Sequence, residues 1–208
     1  MKKLFVTILL LLAATSYASQ KAITDTGEEV ILNNDGTWKY SDNAKKATNI
    51  IETNKKKFKK PRDSSFLLKS IKNNSAYWIN TDKWSFGKAK DNPEAEYQFQ
   101  LKGKDLYGMA IAEGIEMPLE SLVNVAFTNA QSAAPNMKVV RQEYRIVNGN
   151  KLICMEMNGT LQNVDFTYLG YYYSNSSGST QLITYTATNL VAKYKSDIYD
   201  FLNGLMTQ

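Results

Sequence analysis

Alternating and continuous apolar runs predict a chain rich in β-strands. From Phe66 onward, short segments of β-branched and aromatic residues are separated by turns containing glycine, asparagine or aspartate, a pattern typical of strands joined by hairpins. We predict strands over residues 65–68, 76–80, 84–87, 95–101, 106–115, 138–147, 151–158, 164–174 and 181–187. Asn148-Gly149-Asn150 is a strong hairpin signal, because glycine and asparagine tolerate the positive φ of tight turns.

Two other segments show the 3.6-residue periodicity of amphipathic helices. The first begins at Pro118 and ends at Pro135, and the second begins after Asn189, which we expect to cap its N-terminus. Their apolar positions are Leu119, Leu122, Val123, Ala126, Phe127 and Ala130 in the first, and Leu190, Tyr194, Ile198, Phe201, Leu202 and Leu205 in the second. Because a sheet face must bury such stripes, we predict an α+β fold with a mainly antiparallel sheet and two amphipathic helices.

The start of the chain predicts export. Residues 1–18 have the order of a secretory signal peptide: Lys2 and Lys3, then an apolar run too short to span a bilayer, then small residues ending at Ala18. We expect cleavage after Ala18 and a soluble product, periplasmic or secreted, with no transmembrane segment.

Two further segments precede the main domain, which we assign to residues 66–208. Residues 19–40 carry glycines at turn positions and predict a small β-hairpin element. Residues 41–65 are dense in lysine and predict a basic linker, with a short frayed helix before Pro61 as an option.

The charge of the protein is concentrated in that linker region. Residues 45–72 contain ten Lys and Arg against Glu52 and Asp63, whereas residues 73–208 contain eleven basic and thirteen acidic residues. The slight excess of acidic residues over residues 73–208 argues against a nucleic-acid partner, which requires a basic face on the domain itself. The basic segment is either a solvated spacer or a source of weak attraction to an anionic envelope surface.

The order of elements resembles that of the PsbP-like family over residues 66–207. The resemblance includes the paired strands ending at Ile115, the helix opened by Pro118, the hairpin at residues 147–151, the strand containing Tyr168-Leu169-Gly170-Tyr171-Tyr172-Tyr173 and the terminal helix closing at residues 201–205. It implies the PsbP-like sandwich fold. Members of the family are mostly non-catalytic binding or assembly factors, and the resemblance carries no metal site to this chain.

Several chemistries are excluded by composition. The sequence contains no histidine and one cysteine, Cys154, so imidazole-based triads, Cys–His pairs and Cys-rich zinc sites cannot form. Cys154 lies in an apolar run and predicts a small buried side chain rather than a reactive thiol. We expect no cofactor and no metal site.

Carboxylates are the remaining acid–base groups. The candidates are Glu113 and Glu116 around Gly114, and Asp91, Glu94 and Glu96 around Pro93. We interpret them as solvated loop groups; the alternative is a glycosidase pair, which needs two carboxyl groups about 5–9 Å apart across a cleft.

Aromatic residues are the candidate binding residues. They are Tyr168, Tyr171, Tyr172, Tyr173 and Tyr185 on predicted neighbouring strands, together with Trp38 and Tyr40 in the hairpin element. Alternation places Tyr168 and Tyr172 on one sheet face and Tyr171 and Tyr173 on the other, so some are core and the others are candidates for a recognition surface. Trp38 and Tyr40 either stack on a sugar or anchor the hairpin.

We therefore expect a non-catalytic binding or accessory factor of the bacterial cell envelope that recognises a protein or an envelope polymer. One alternative is a carboxylate-dependent hydrolase of envelope glycans. The other is an interaction protein whose hairpin element, rather than its main domain, engages the target.

Overall fold

A computed structural model describes residues 20–24, 29–41, 51–90 and 92–207. The predicted signal peptide lies outside these residues, as does part of the predicted linker. The first described residues form a three-stranded antiparallel sheet of β1 (Gln20–Ile23), β2 (Glu29–Leu32) and β3 (Trp38–Tyr40).

The main domain is built on an eight-stranded sheet. Its strands are β4 (Glu52–Phe58), β7 (Trp84–Lys88), β8 (Tyr97–Leu101), β9 (Tyr107–Glu113), β10 (Lys138–Val147), β11 (Asn150–Leu161), β12 (Val164–Asn175) and β13 (Gly178–Ala187). The spatial order is β4-β10-β11-β12-β13-β9-β8-β7. All neighbours are antiparallel except β4 and β10, which run parallel. A second sheet contains β5 (Phe66–Lys69), β6 (Ser75–Ile79) and β14 (Leu205–Thr207) in the order β14-β6-β5.

Helices cover both faces of the large sheet. Helix α1 (Leu119–Ala133) buries Leu122, Val123 and Ala126 in a core shared with Ile153 and Tyr172. On the opposite face, helix α2 (Val191–Leu202) and the small sheet close a second core, which includes Tyr77, Leu152, Tyr171, Ile198 and Phe201. The apolar stripes predicted for the two helices are therefore the surfaces that the fold buries.

Three local predictions are corrected by the structure. Residues 52–58, predicted as part of a linker with a possible helix, form β4, because Phe58 packs into the core beneath α2. Asn189 does not cap α2: a 3-10 turn over Thr188–Leu190 precedes the helix, and no side chain caps its first turn. Leu205 belongs to β14, a short strand that the sequence did not reveal.

Within the described ranges, no helix combines the length and apolar character that a membrane crossing requires.

Candidate binding surface

Three of the five predicted strand tyrosines belong to the core. Tyr171 and Tyr172 are fully buried, and Tyr173 is 8% exposed. The Tyr171 hydroxyl accepts a hydrogen bond from Arg145 Nη1 at 3.0 Å and donates one to Asn203 Oδ1 at 2.8 Å. These three side chains therefore pack in the two cores and not on a recognition surface, which corrects their place among the candidate binding residues.

The other two, Tyr168 and Tyr185, are half-buried and belong to a group that we call the aromatic row: Phe166, Tyr168, Tyr185 and Tyr107. Tyr168 lies opposite Tyr185 on the neighbouring strand, and Tyr185 lies opposite Tyr107. Residues that are partners across strands share a sheet face, so the row crosses β12, β13 and β9 on the side of α1.

The aromatic row reaches the surface because α1 packs mainly on β11 and β12. Beyond β9, the same face continues onto β8 and β7. Gln100 lies opposite Tyr107, and Ser85 lies opposite Gln100. Both Gln100 and Ser85 are exposed. Gln98, also exposed, lies opposite Met109. The surface is thus aromatic at its centre and neutral and polar at its margin.

Contacts join the rings of the row to one another. The Tyr107 and Tyr185 rings stack, with centroids 5.6 Å apart and planes at 21°, and Tyr168 meets Tyr185 edge-on at 5.8 Å. Phe166 meets Tyr168 edge-on at 4.9 Å. The four rings therefore form one continuous aromatic group, in which Tyr107 and Tyr185 stack and Tyr168 and Phe166 join by edge-on contacts.

Only Tyr168 and Tyr185 of the row were predicted from the sequence. Tyr107 was missed because its membership depends on strand register, which pairs it with Tyr185 across more than 70 intervening residues. Phe166 could have been predicted from the sequence, because it lies two residues before Tyr168 and alternation places both on the same sheet face.

A second aromatic pair lies in the N-terminal sheet. Trp38 is 55% exposed and Tyr40 is 50% exposed, and their rings meet edge-on with centroids 5.3 Å apart. Trp38 lies opposite Leu32, which is also exposed. The pair is therefore a surface feature of this unit.

The predicted carboxylates have separate environments. Glu96 is 8% exposed, and its carboxylate accepts hydrogen bonds from Ser70 Oγ and the Ile71 backbone N–H, both at 2.7 Å. It therefore fixes the loop between β5 and β6. Glu94 and Glu116 are exposed and Glu113 is half-buried, while Asp91 lies outside the described residues.

A different acidic cluster lines a small cleft beside Trp84. Lys83 Nζ lies 3.6 Å from an Asp63 oxygen and 3.9 Å from an Asp197 oxygen. Burial raises the pKa of Asp200, and the charges of Asp63 and Asp197 add to this, against the opposing effect of Lys83. The cleft has a volume of about 10 Å³, which is room for about one water molecule and not for a sugar ring. No group of three or more possible metal ligands occurs among the described residues.

The architecture resembles that of a solved PsbP protein. The solution structure of cyanobacterial PsbP (CyanoP) from Synechocystis sp. PCC 6803 is 13% identical and aligns over 71% of this chain and 95% of its own length, with a TM-score of 0.54. This likeness confirms the predicted resemblance at the level of fold: the chain has a PsbP-like fold.

Two other solved structures are more distant. A protein of unknown function from Pseudomonas aeruginosa is 10% identical, over 60% of this chain and 83% of its own, with a TM-score of 0.44. A Bacteroides thetaiotaomicron protein is 8% identical, over 65% of this chain and 45% of its own, with a TM-score of 0.40. No protein-family model and no curated protein matches the sequence.

Proposed function

We propose that this protein is a non-catalytic, exported binding or accessory factor of the bacterial cell envelope, and that it recognises a partner protein through the aromatic row. The observation that carries the proposal is the row itself: four half-buried aromatic side chains on a sheet face that α1 leaves partly uncovered. Export is inferred from the signal-peptide pattern of residues 1–18.

The chemistry of the surface supports a protein partner over an envelope polymer. Aromatic side chains are enriched at protein interfaces and charged ones are depleted at interface centres. The row and its margin of Ser85, Gln98 and Gln100 contain no charged side chain. The PsbP-like fold agrees with a binding role, by analogy with the mostly non-catalytic members of that family.

Site-specific photo-crosslinking in cells tests the proposal. A photo-reactive amino acid replaces Gln100, beside Tyr107, in the full chain with its native signal sequence. The matched control carries it at Lys195, an exposed position on α2. We expect a single envelope protein to be captured from position 100 and not from position 195. Capture from position 195 alone, or diffuse capture from both, would remove the row as the recognition surface.

Substitutions in the row provide an independent readout of the same proposal. Tyr107→Ser and Tyr185→Ser remove ring edges and phenol groups from the surface, and we expect each to lower the crosslink yield from position 100 at least tenfold. Circular dichroism and thermal melting check that each variant is folded. Undiminished capture by folded variants would contradict the proposal.

The exposure of Trp38 and Tyr40 favours a second candidate, in which the N-terminal sheet engages the target. The substitutions Trp38→Gln and Tyr40→Gln test it in the same crosslinking experiment. Loss of capture in this variant, with no loss in the Tyr107 and Tyr185 variants, would transfer the binding role to the N-terminal sheet. The predicted glycan hydrolase stays a prediction.

A further inference from the structure

Strand β4 and the residue that follows it place a run of lysines along one edge of the large sheet. Lys55, Lys56, Lys57 and Lys59 are all exposed, and we call these four residues the basic edge. Over Lys55–Lys59 the chain extends about 13 Å at roughly 3.3 Å per residue. Among the described strands β4 pairs only with β10, so it is an edge strand of the large sheet as described.

Within the described part of the chain, the lysines of the basic edge have no acidic partner: no carboxylate there lies within ion-pair distance of their four ammonium groups. Lys60 differs, since its Nζ donates to the Ser64 carbonyl at 3.3 Å and lies over the Trp78 ring. The four lysines of the basic edge repel one another, and an anionic partner would relieve this repulsion.

A fifth lysine extends the basic edge across the sheet face. Lys57 lies opposite Ile146, and Ile146 lies opposite Lys151, so Lys57 and Lys151 occupy the same face. Lys151 Nζ lies 4.0 Å from the centre of the Tyr144 ring. The positive surface is therefore broader than a single strand.

The backbone of β4 disfavours an added strand as the partner. The register with β10 shifts between Tyr144 and Ile146, which marks a bulge, and the Lys56 N–H donates to Asn54 Oδ1 within β4. Pro61, shortly after the strand, has no N–H to donate. Bulges and prolines interrupt the regular ladder that strand addition needs, so the lysine side chains are the groups left to bind.

We propose that the basic edge docks the protein on an anionic lipid surface, with the lysine ammonium groups contacting lipid phosphates. Long, mobile lysine side chains on an irregular edge suit a surface of many exchangeable phosphates, which requires no matched geometry. The proposal rests on the proposed export of the protein but does not involve the aromatic row.

Sedimentation with lipid vesicles tests this docking. The chain without its predicted signal peptide is mixed with vesicles of phosphatidylglycerol and phosphatidylcholine, or of phosphatidylcholine alone. We expect binding to the first only. Changing Lys55, Lys56, Lys57 and Lys59 to glutamine should weaken that binding about 1000-fold, because each base near a membrane surface is worth about 1 kcal/mol and about 1.4 kcal/mol corresponds to a factor of ten.

A matched variant removes the same charge elsewhere: Lys88, Lys90, Lys104 and Lys195, all exposed, are changed to glutamine. We expect it to bind the anionic vesicles within a few-fold of the original chain. If both variants lost vesicle binding equally, net charge rather than the basic edge would account for the binding, and the proposal would be overturned. So would binding to soluble polyglutamate without binding to vesicles, which would indicate an acidic protein partner.

Two further measurements keep this test separate from the proposed function. Tyr185→Ser should bind vesicles like the original chain, because the aromatic row plays no part in docking. For the unmodified chain, vesicle binding should fall steeply as salt is added. Salt-independent binding would overturn the proposal without any variant.

Discussion

At the scale of single residues, Arg145 is the least exposed charged residue in the part of the chain that the structure describes, at 4%. Its guanidinium lies 4.6 Å from the Phe58 ring centre and 4.8 Å from that of Tyr199. Its Nε donates to Glu143 at 2.6 Å and its Nη1 donates to the Tyr171 hydroxyl. The Arg145 side chain thus contacts residues of β4, β10, β12 and α2. Its buried charge depends on these partners for compensation.

Removing the negative partner of Arg145 should be costly. We expect Glu143→Gln to lower the free energy of unfolding by about 2–3 kcal/mol, because a buried guanidinium would lose its charged partner. Glu156→Gln is the matched control: Glu156 pairs with Arg141, a more exposed residue, at 3.2 Å, so its loss should cost less than about 1 kcal/mol. Urea denaturation measures both, and equal effects would contradict this account of Arg145.

The same carboxylate should make stability depend on pH. Burial alone would raise the pKa of Glu143, but the hydrogen bond and charge of Arg145, with Asn54 and Arg141, outweigh it and hold the pKa below 4.5. Its contribution is therefore complete above the unfolded-state pKa and is lost as pH falls through the folded-state value. The difference in stability between the original chain and Glu143→Gln should shrink as the medium is acidified below about pH 4.5.

Cys154 should be inert in the native protein. It is 1% exposed, and burial raises the pKa of its thiol to about 11, although Arg145 and Arg141 oppose the shift. We expect labelling by a thiol reagent at neutral pH to be as slow as unfolding and to accelerate in urea along the unfolding curve. Fast labelling without denaturant would show that the β11 region opens locally.

At the scale of elements, β4 is the part of the chain whose role differs most from its sequence pattern. Phe58 packs against the core, and Asn54 Nδ2 lies 3.3 Å from both Glu143 oxygens. A chain shortened to residues 51–208 should therefore keep the thermal stability of its domain. A chain shortened to residues 66–208 loses Phe58 and should be less stable by about 3 kcal/mol or more. Equal melting temperatures for the two shortened chains would show that β4 adds no stability to the domain, as expected of a linker.

The fold could be predicted where side-chain periodicity carries the information. The buried residues of α1 follow the helical spacing, and the hairpin at Asn148-Gly149 has positive φ at both residues, as the turn signal predicted. β4 could not be predicted in this way, because a parallel edge strand with one apolar residue and three consecutive lysines among its seven positions shows little periodicity. The aromatic row was found in part, since pairing between Tyr107 and Tyr185 depends on contacts distant in sequence.

At the scale of the whole molecule, the two proposed surfaces are separated across the sheet. Tyr168 lies on β12, three strands from β4, and Tyr107 lies on β9, five strands away. At about 4.8 Å per strand these separations are roughly 14 and 24 Å. A protein held on a membrane by its basic edge would therefore present the aromatic row away from the lipid, where a partner can reach it.

Salt should separate the two activities, because they depend on different forces. In about 1 M salt the Debye length falls to about 3 Å, which screens the attraction between lysines and lipid phosphates. Burial of aromatic surface is not screened in this way. We expect high salt to release the protein from anionic vesicles while crosslinking from position 100 to its partner persists in an envelope extract. Loss of both together would mean that the partner is held by charge, and that the basic edge rather than the aromatic row is the recognition surface.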